Sequence, residues 1–455
     1  MQRRLPNPFL LLSLLAATLA PPGFAQNLTP KPLIVGYFGQ WGLYNDPQYT
    51  LKDLAANNKA AMLDQLNYAQ GFVTGGHCSV ADPNADLNHI FAAADSVNGQ
   101  PDDPTAPFRG HFHQLAELKH AYPRLKVVIS LEGRASDFAF DAQPENRQAF
   151  IASCIDLFVK GNLAPNVSVP GLFDGIDVDW EYPQGPDAAN FLALLTELRQ
   201  QMNLVRPGLK LTIAVGPSPR MYQGTDFTAV SAQVDEVGLM TYDLAGPWMR
   251  TTGFIAPLYS VPRPSEPQGQ LNDAALIRTP APTGVNPTAS TTPAANAAMP
   301  AGSLPESTPA PRPPPAGGAA GSARAFLAAG VPPAKLLLGV PFYGYGWTQV
   351  PEVGNGVFQE GNPVRGDRPY RYIQSLFANS TVYRDPVSQT PWLFDGDAFW
   401  TFDDPISIRA KAAYVLDHNL GGLMIWELSD DTPQAALLTA AHQTFTQRPP
   451  TTSAD

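Results

Sequence analysis

The chain has 455 residues, 44% hydrophobic and 10% aromatic, enough apolar material for one large barrel or for several ordinary domains. Forty Asp and Glu against 29 Lys and Arg leave a formal net charge of −11. That balance argues against nucleic-acid and anionic-membrane partners, which reward clustered Lys and Arg, and favours a neutral or cationic substrate.

The N-terminus carries Arg3 and Arg4, an apolar run from Phe9 to Ala20, and Gly23-Phe24-Ala25 before Gln26. This is the pattern of an export signal over residues 1–25, too short to span a bilayer. The expected product is a secreted protein, extracellular or periplasmic, with no membrane association after cleavage. Cys78 and Cys154 either pair in that oxidising setting or stay as two separate buried thiols.

Apolar, β-rich runs then recur at wide spacing: 33–38 (LIVGYF), 64–69 (DQLNYA), 125–131 (LKVVISL), 172–180, 210–215 (LKLTIA), 236–242 (EVGLMTY), 335–343 (KLLLGVPFY) and 421–426 (GGLMIW). Near-continuous runs suit parallel strands covered on both faces. Helical spacing lies between them, as in FHQLAELKH at 112–120 and AANFLALLTELRQQM at 188–202. Eight such units predict an α/β fold, a (β/α)8 TIM barrel over 31–261 and 323–446, with its active site at the carboxyl ends of the strands. Residues 262–322, rich in Pro, Ala, Ser and Thr, read as a disordered loop after the sixth strand. Residues 348–395 read as a small α+β insertion after the seventh strand, and 447–455 as a disordered tail. No repeat and no separable binding module is evident, and a monomer is expected.

One segment stands apart: GLFDGIDVDWEYP at 171–183. Side chains two apart share a face of a strand, so Asp177, Asp179 and Glu181 form one row spaced roughly 6.6 Å apart. Ile176, Val178 and Trp180 form the opposite, apolar row. The apolar row packs on surrounding helices while the acids point into the barrel mouth. Asp174 falls on the other parity and is expected to cap the start of the strand. A calcium loop needs a Gly turn and polar interleaving that this segment denies, and a solvated face would not interleave such bulky residues. A catalytic carboxylate cluster is the reading that remains.

DGIDVDWE resembles the D-x-x-D-x-D-x-E signature of family 18 of the glycoside hydrolases, the chitinases and their relatives. The resemblance extends along nearly the whole chain outside the Pro-rich loop. VGYFGQWG at 35–42 is similar to the family's first strand and GHFHQLAELKHAYPRLKVVIS at 110–130 to its third strand with the preceding helix. GLMTYDLAGPW at 238–248 is similar to the sixth-strand M-x-Y-D motif, GVPFYGYGW at 339–347 to the seventh strand, and GGLMIWELSDD at 421–431 to the eighth.

What the resemblance implies is a retaining hydrolase of β-1,4-linked N-acetylglucosamine polymers, acting on chitin or its oligosaccharides without a cofactor. Catalysis is then substrate-assisted, with Glu181 as general acid and later base. The sugar's own 2-acetamido oxygen attacks, giving an oxazolinium ion. Asp179 orients the amide N–H and shares a proton with Asp177. Crowding the acids disfavours ionising all of them, and titration belongs to the set. Tyr242 donates its hydroxyl to the acetamide oxygen, and Met240 and Asp243 belong to the same motif at the sugar. Trp426 floors the subsite of the distorted sugar with Tyr37 beside it; Trp41, Tyr343 and Tyr345 line the groove.

The family pattern is broken twice. Its third-strand S-x-G-G is Ser130-Leu131-Glu132-Gly133 here, and the Arg after the seventh-strand Tyr-Gly is Tyr345. Glu132 either raises the proton affinity of the cluster or turns outward; Tyr345 exchanges a charged sugar contact for stacking. No metal site is expected, since the seven His form no H-E-x-x-H pattern, and His111 with His113 read as a solvated helix start. Two rivals share the fold: a non-hydrolytic chitin-binding lectin, against which Glu181 argues, and an endo-β-N-acetylglucosaminidase on glycoprotein glycans.

Overall fold

The structure, a computed structural model, describes residues 31–261 and 317–447. The expected signal over 1–25, the Pro-rich loop as far as 316 and the tail from 448 lie outside the described residues.

Eight parallel strands close a barrel: β1 Leu33–Gly39, β2 Gln65–Thr74, β3 Lys126–Gly133, β4 Gly175–Val178, β5 Lys210–Val215, β6 Glu236–Leu239, β7 Leu336–Pro341 and β8 Gly422–Trp426. Each pairs with the next in chain order, and β8 returns to β1 through Leu33↔Gly422 to Gly36↔Ile425. Helices cover the outside. Asp187–Val205 buries Ala188, Phe191, Leu194, Leu195, Leu198 and Met202, a stripe at helical spacing that lies against the sheet.

Three aspartates fasten the strand starts. Asp64, Asp174 and Asp235 each immediately precede a strand and accept the backbone N–H of Ile34, Val127 and Leu211 on the preceding strand at 2.9, 3.0 and 2.9 Å. Asp174 also takes the Lys119 ammonium at 2.7 Å. Asp174→Ala is therefore expected to lower stability by about 2 kcal/mol, since a ladder N–H and a lysine lose one acceptor together. Urea denaturation at neutral pH measures it.

Three expectations need correction. The helix Gly318–Ala328 begins inside the stretch that composition assigned to the 262–322 loop. Alanine lowers complexity but is the best helix former, and Ala319, Ala320 and Ala323 are fully buried. Gly318 lets the helix approach closely: at φ +63°, a Cβ there would meet the Pro257 carbonyl oxygen at 2.5 Å.

The insertion is wider than 348–395. Its antiparallel sheet runs from Tyr343–Thr348 through Phe399–Thr401 and Pro391–Phe394 to Thr381–Arg384, with the helix Tyr370–Ser375 alongside. The first strand of that sheet pairs with 399–401, so both flanks belong to it.

His111 and His113 are not a solvated helix start. The first turn of Gly110–Ala121 faces β2, and His111 is fully buried, stacked on Phe91 at 5.3 Å with Nδ1 3.1 Å from the Tyr68 hydroxyl. Burial pushes its pKa down to about 3. His113 is half-buried against Asp102 at 2.9 Å.

Cys78 and Cys154 are joined by a disulfide with Cα atoms 4.9 Å apart. It ties the strand His77–Val80, which extends β2 as a hairpin, to the helix Pro144–Cys154.

Candidate active site

The sequence 171–183 folds as its two parities require. Trp180, from the apolar row, is buried, stacked on Phe138 at 5.6 Å and edge-on to Phe191 at 5.8 Å in the helix behind. Asp177, from the other row, stands inside the barrel, level with Ser130 on β3 and Thr212 on β5. Regular strand pairing ends at Val178, but the Asp179 N–H still donates to the Leu131 carbonyl at 3.1 Å. The row is thus carried to the mouth, where Asp179 and Glu181 are only partly buried.

Asp177 is 1% exposed and held by three hydroxyl donors on three strands: Tyr37 at 2.6 Å and Ser130 at 3.0 Å on one oxygen, Thr212 at 2.6 Å on the other. Burial raises its pKa, and those hydrogen bonds oppose the rise. Tyr37 responds in turn. Its burial, then the charges of Asp177 and Asp179, push its hydroxyl well above the ordinary range.

Aromatic rings wall the mouth. Trp426, at the end of β8, lies 5.3 Å from Tyr37 and 6.0 Å from Trp41. Tyr242 and Met240 follow β6 and are nearly fully buried, and the Met240 N–H donates to the Val215 carbonyl at 2.8 Å. Asp243 adopts φ 57° and accepts the Tyr343 hydroxyl at 2.6 Å. Tyr343 and Tyr345 stand on the first strand of the insertion sheet. From Tyr242 the rings step outward through Tyr343 at 6.2 Å, Tyr345 at a further 5.6 Å and Trp248 at a further 5.5 Å, where Trp248 is 44% exposed.

Two residues here escaped the sequence reading. Trp248 closes the GLMTYDLAGPW motif, and its proline-tryptophan ending was the available signal. Glu427 follows Trp426 directly. It is 6% exposed, accepts the Trp41 indole N–H at 3.2 Å and the Ser429 hydroxyl at 2.5 Å, and burial pushes its pKa up to about 7. Nothing in the local pattern separates it from a solvated residue after a strand.

Glu132 faces inward. Burial first, then the charges of Glu181, Asp177 and Glu427, push its pKa up to about 8. Among the described residues no group of three His, Cys, Asp or Glu is arranged to hold a metal ion. Both oxygens of Asp177 are already engaged by hydroxyls. The site therefore combines a row of carboxyls, one of them fixed and buried, with an aromatic trough. It offers proton transfer beside a surface suited to the apolar faces of sugars.

Comparison with known proteins places this architecture in context. The profile described as Glycosyl hydrolases family 18 matches residues 33–290 and 294–431. Chitinase C of Streptomyces lividans is 29% identical over 88% of this chain, and the alignment spans 57% of that protein's length. The catalytic domain of psychrophilic chitinase B from Arthrobacter TAD20 superposes with a TM-score of 0.75 at 28% identity, covering 92% of this chain and 96% of that one. The Group IV chitinase of Ostrinia furnacalis, in complex with allosamidin, superposes with a TM-score of 0.66 at 25% identity, covering 91% and 99%.

Proposed function

Because the chain belongs to glycosyl hydrolase family 18, we propose that it is a chitinase, hydrolysing β-1,4 bonds of chitin and N-acetylglucosamine oligomers with retention of configuration. The observation that carries this reading is the acidic row, anchored by Asp177 on three hydroxyls and running outward to Glu181 inside an aromatic trough.

In the first step the 2-acetamido oxygen of the bound sugar attacks its anomeric carbon, the glycosidic C–O bond breaks, and the Glu181 proton passes to the leaving oxygen. Asp179 accepts the amide N–H, which fixes the acetamide for attack, and the buried Asp177 beneath it holds that carboxyl in place. Tyr242 donates to the acetamide oxygen. Water then attacks the anomeric carbon as the bond from that carbon to the acetamido oxygen breaks, which restores the acetamide and returns one water proton to Glu181. Trp426 forms the floor beneath the reacting ring with Tyr37 beside it, while Trp41, Met240, Asp243, Tyr343 and Tyr345 shape the groove. This ordering uses positioning and charge placement rather than an attacking protein carboxylate.

NMR of chitin-oligomer hydrolysis at early times tests the reading. The β-anomer is expected first, and an α-anomer as first product, or failure of a thiazoline mimic to inhibit, would sink it. Release from glycoprotein glycans alone would favour the endo-β-N-acetylglucosaminidase alternative. Export to an oxidising compartment is part of the proposal, supported by the Cys78–Cys154 disulfide.

The outward step of rings supports a place for Trp248 at sugars beyond the bond being cut. Trp248→Ala is expected to raise KM for a hexamer about five-fold, the equivalent of about 1 kcal/mol of lost stacking, with kcat nearly constant. A dimeric substrate should be affected less. Equal effects on both lengths would remove Trp248 from the groove.

A further inference from the structure

Glu427 is a buried carboxyl with no part in the mechanism above. It directly follows Trp426, and its Oε1 accepts from two neutral donors, the Trp41 indole N–H at 3.2 Å and the Ser429 hydroxyl at 2.5 Å. Its Oε2 is buried without a hydrogen-bond partner. Arg371, whose charge reaches it, is turned to the Ser429 carbonyl and to Asp430 at 3.6 Å. A buried carboxyl with one oxygen unpartnered costs stability that an apolar residue would not, so packing alone does not explain its presence. Trp41 has little else to fix its ring. It sits on the five-residue turn Gln40–Tyr44, whose start has no side-chain cap. The indole lies over Gly39 at the end of β1: a Cβ there would meet Trp41 Cε2 at 2.2 Å and Glu427 Oε2 at 2.7 Å. The missing side chain lets indole and carboxyl come together at one place.

We propose that Glu427 is a positioning residue that locks the Trp41 indole at a fixed angle to Trp426, so that the two rings grip successive sugars of a long chain at the β1 and β8 side of the trough. This rests on the reading of the trough as a sugar groove. Trp41 and Trp426 are both half-buried, with rings 6.0 Å apart and tilted by 42°. One residue links them: Trp426 through the chain, and Trp41 through the hydrogen bond. An indole free to swing would stack on a sugar only after losing its rotameric freedom, and that cost is paid on binding. The stack is the same in the bound and transition states, so the loss falls on KM rather than on kcat.

Steady-state hydrolysis of an N-acetylglucosamine hexamer and of a dimeric substrate by Glu427→Ala, Glu427→Gln and Trp41→Phe tests this. Glu427→Ala is expected to raise KM for the hexamer about five-fold with kcat nearly constant, and to change KM for the dimer by less than about two-fold. Glu427→Gln keeps an acceptor oxygen for the indole and should stay within about two-fold of wild type, a rescue that the alanine cannot give. Trp41→Phe keeps a ring but has no N–H to hold, so adding Glu427→Ala to it should raise KM little further. If Glu427→Ala does not fold, Glu427→Met, of similar length and without the carboxyl oxygen, is read in the same way. Equal KM changes on both lengths, a loss confined to kcat, an equal loss in Glu427→Gln or full additivity with Trp41→Phe would overturn the proposal while leaving the chitinase reading intact. A wild type that does not hydrolyse the hexamer would overturn both.

Discussion

Glu181→Gln is expected to reduce hydrolysis of a fluorogenic chitobiose or chitotriose substrate by about three to four orders of magnitude. The amide is nearly isosteric with the acid but has no proton to give the leaving oxygen, so the loss falls on kcat. Binding should persist, because the trough of Tyr37, Trp426, Tyr343 and Tyr345 is untouched. Tryptophan fluorescence on titration with oligomers gives that control, and unchanged thermal unfolding excludes a folding defect. Release within tenfold of wild type would show that the acid lies elsewhere, and Glu132 and Glu427 would be the next carboxyls to replace.

Loss of the disulfide is the second large effect. Cys78 and Cys154 are 76 residues apart in sequence, and closing a loop of that length restricts the unfolded chain by about 4.5 kcal/mol on a chain-entropy model. The bridge also replaces contact that the short strand His77–Val80 cannot supply alone, since among the described residues its ladder is with the far end of β2. The double variant Cys78→Ser with Cys154→Ser is thus expected to lose about 4 kcal/mol, a large fraction of the margin by which a domain is folded. Guanidinium denaturation with and without reductant measures it. A transition midpoint indifferent to reductant would show that the hairpin is held by packing.

Much of the barrel was legible because its strands are written as short apolar runs, and because period two in 176–181 separates the acids from Ile176, Val178 and Trp180 without any knowledge of neighbours. The gathering of Tyr37, Tyr242 and Trp426 was legible through the resemblance to family 18, whose motifs put them at strand ends. What stayed hidden depended on tertiary partners. His111 becomes a core residue because Tyr68 and Phe91 close over it. Composition disguised the Ala-rich helix at 318–328, whose small side chains do not signal burial by size. Glu427 acquires its place from Trp41, which is distant in sequence. Three donors around Asp177 come from β1, β3 and β5, and no local pattern predicts that convergence.

The hydrogen bond from Tyr343 to Asp243 has a practical corollary for anyone who would graft parts between relatives. Tyr343 comes with the inserted sheet, whereas Asp243 comes with the barrel. The rim is therefore not an accessory to be exchanged at will. A chimera cut at the end of β7 would import a foreign side chain into the aromatic trough, and its junction would have to lie beyond Tyr343 for that hydrogen bond to survive.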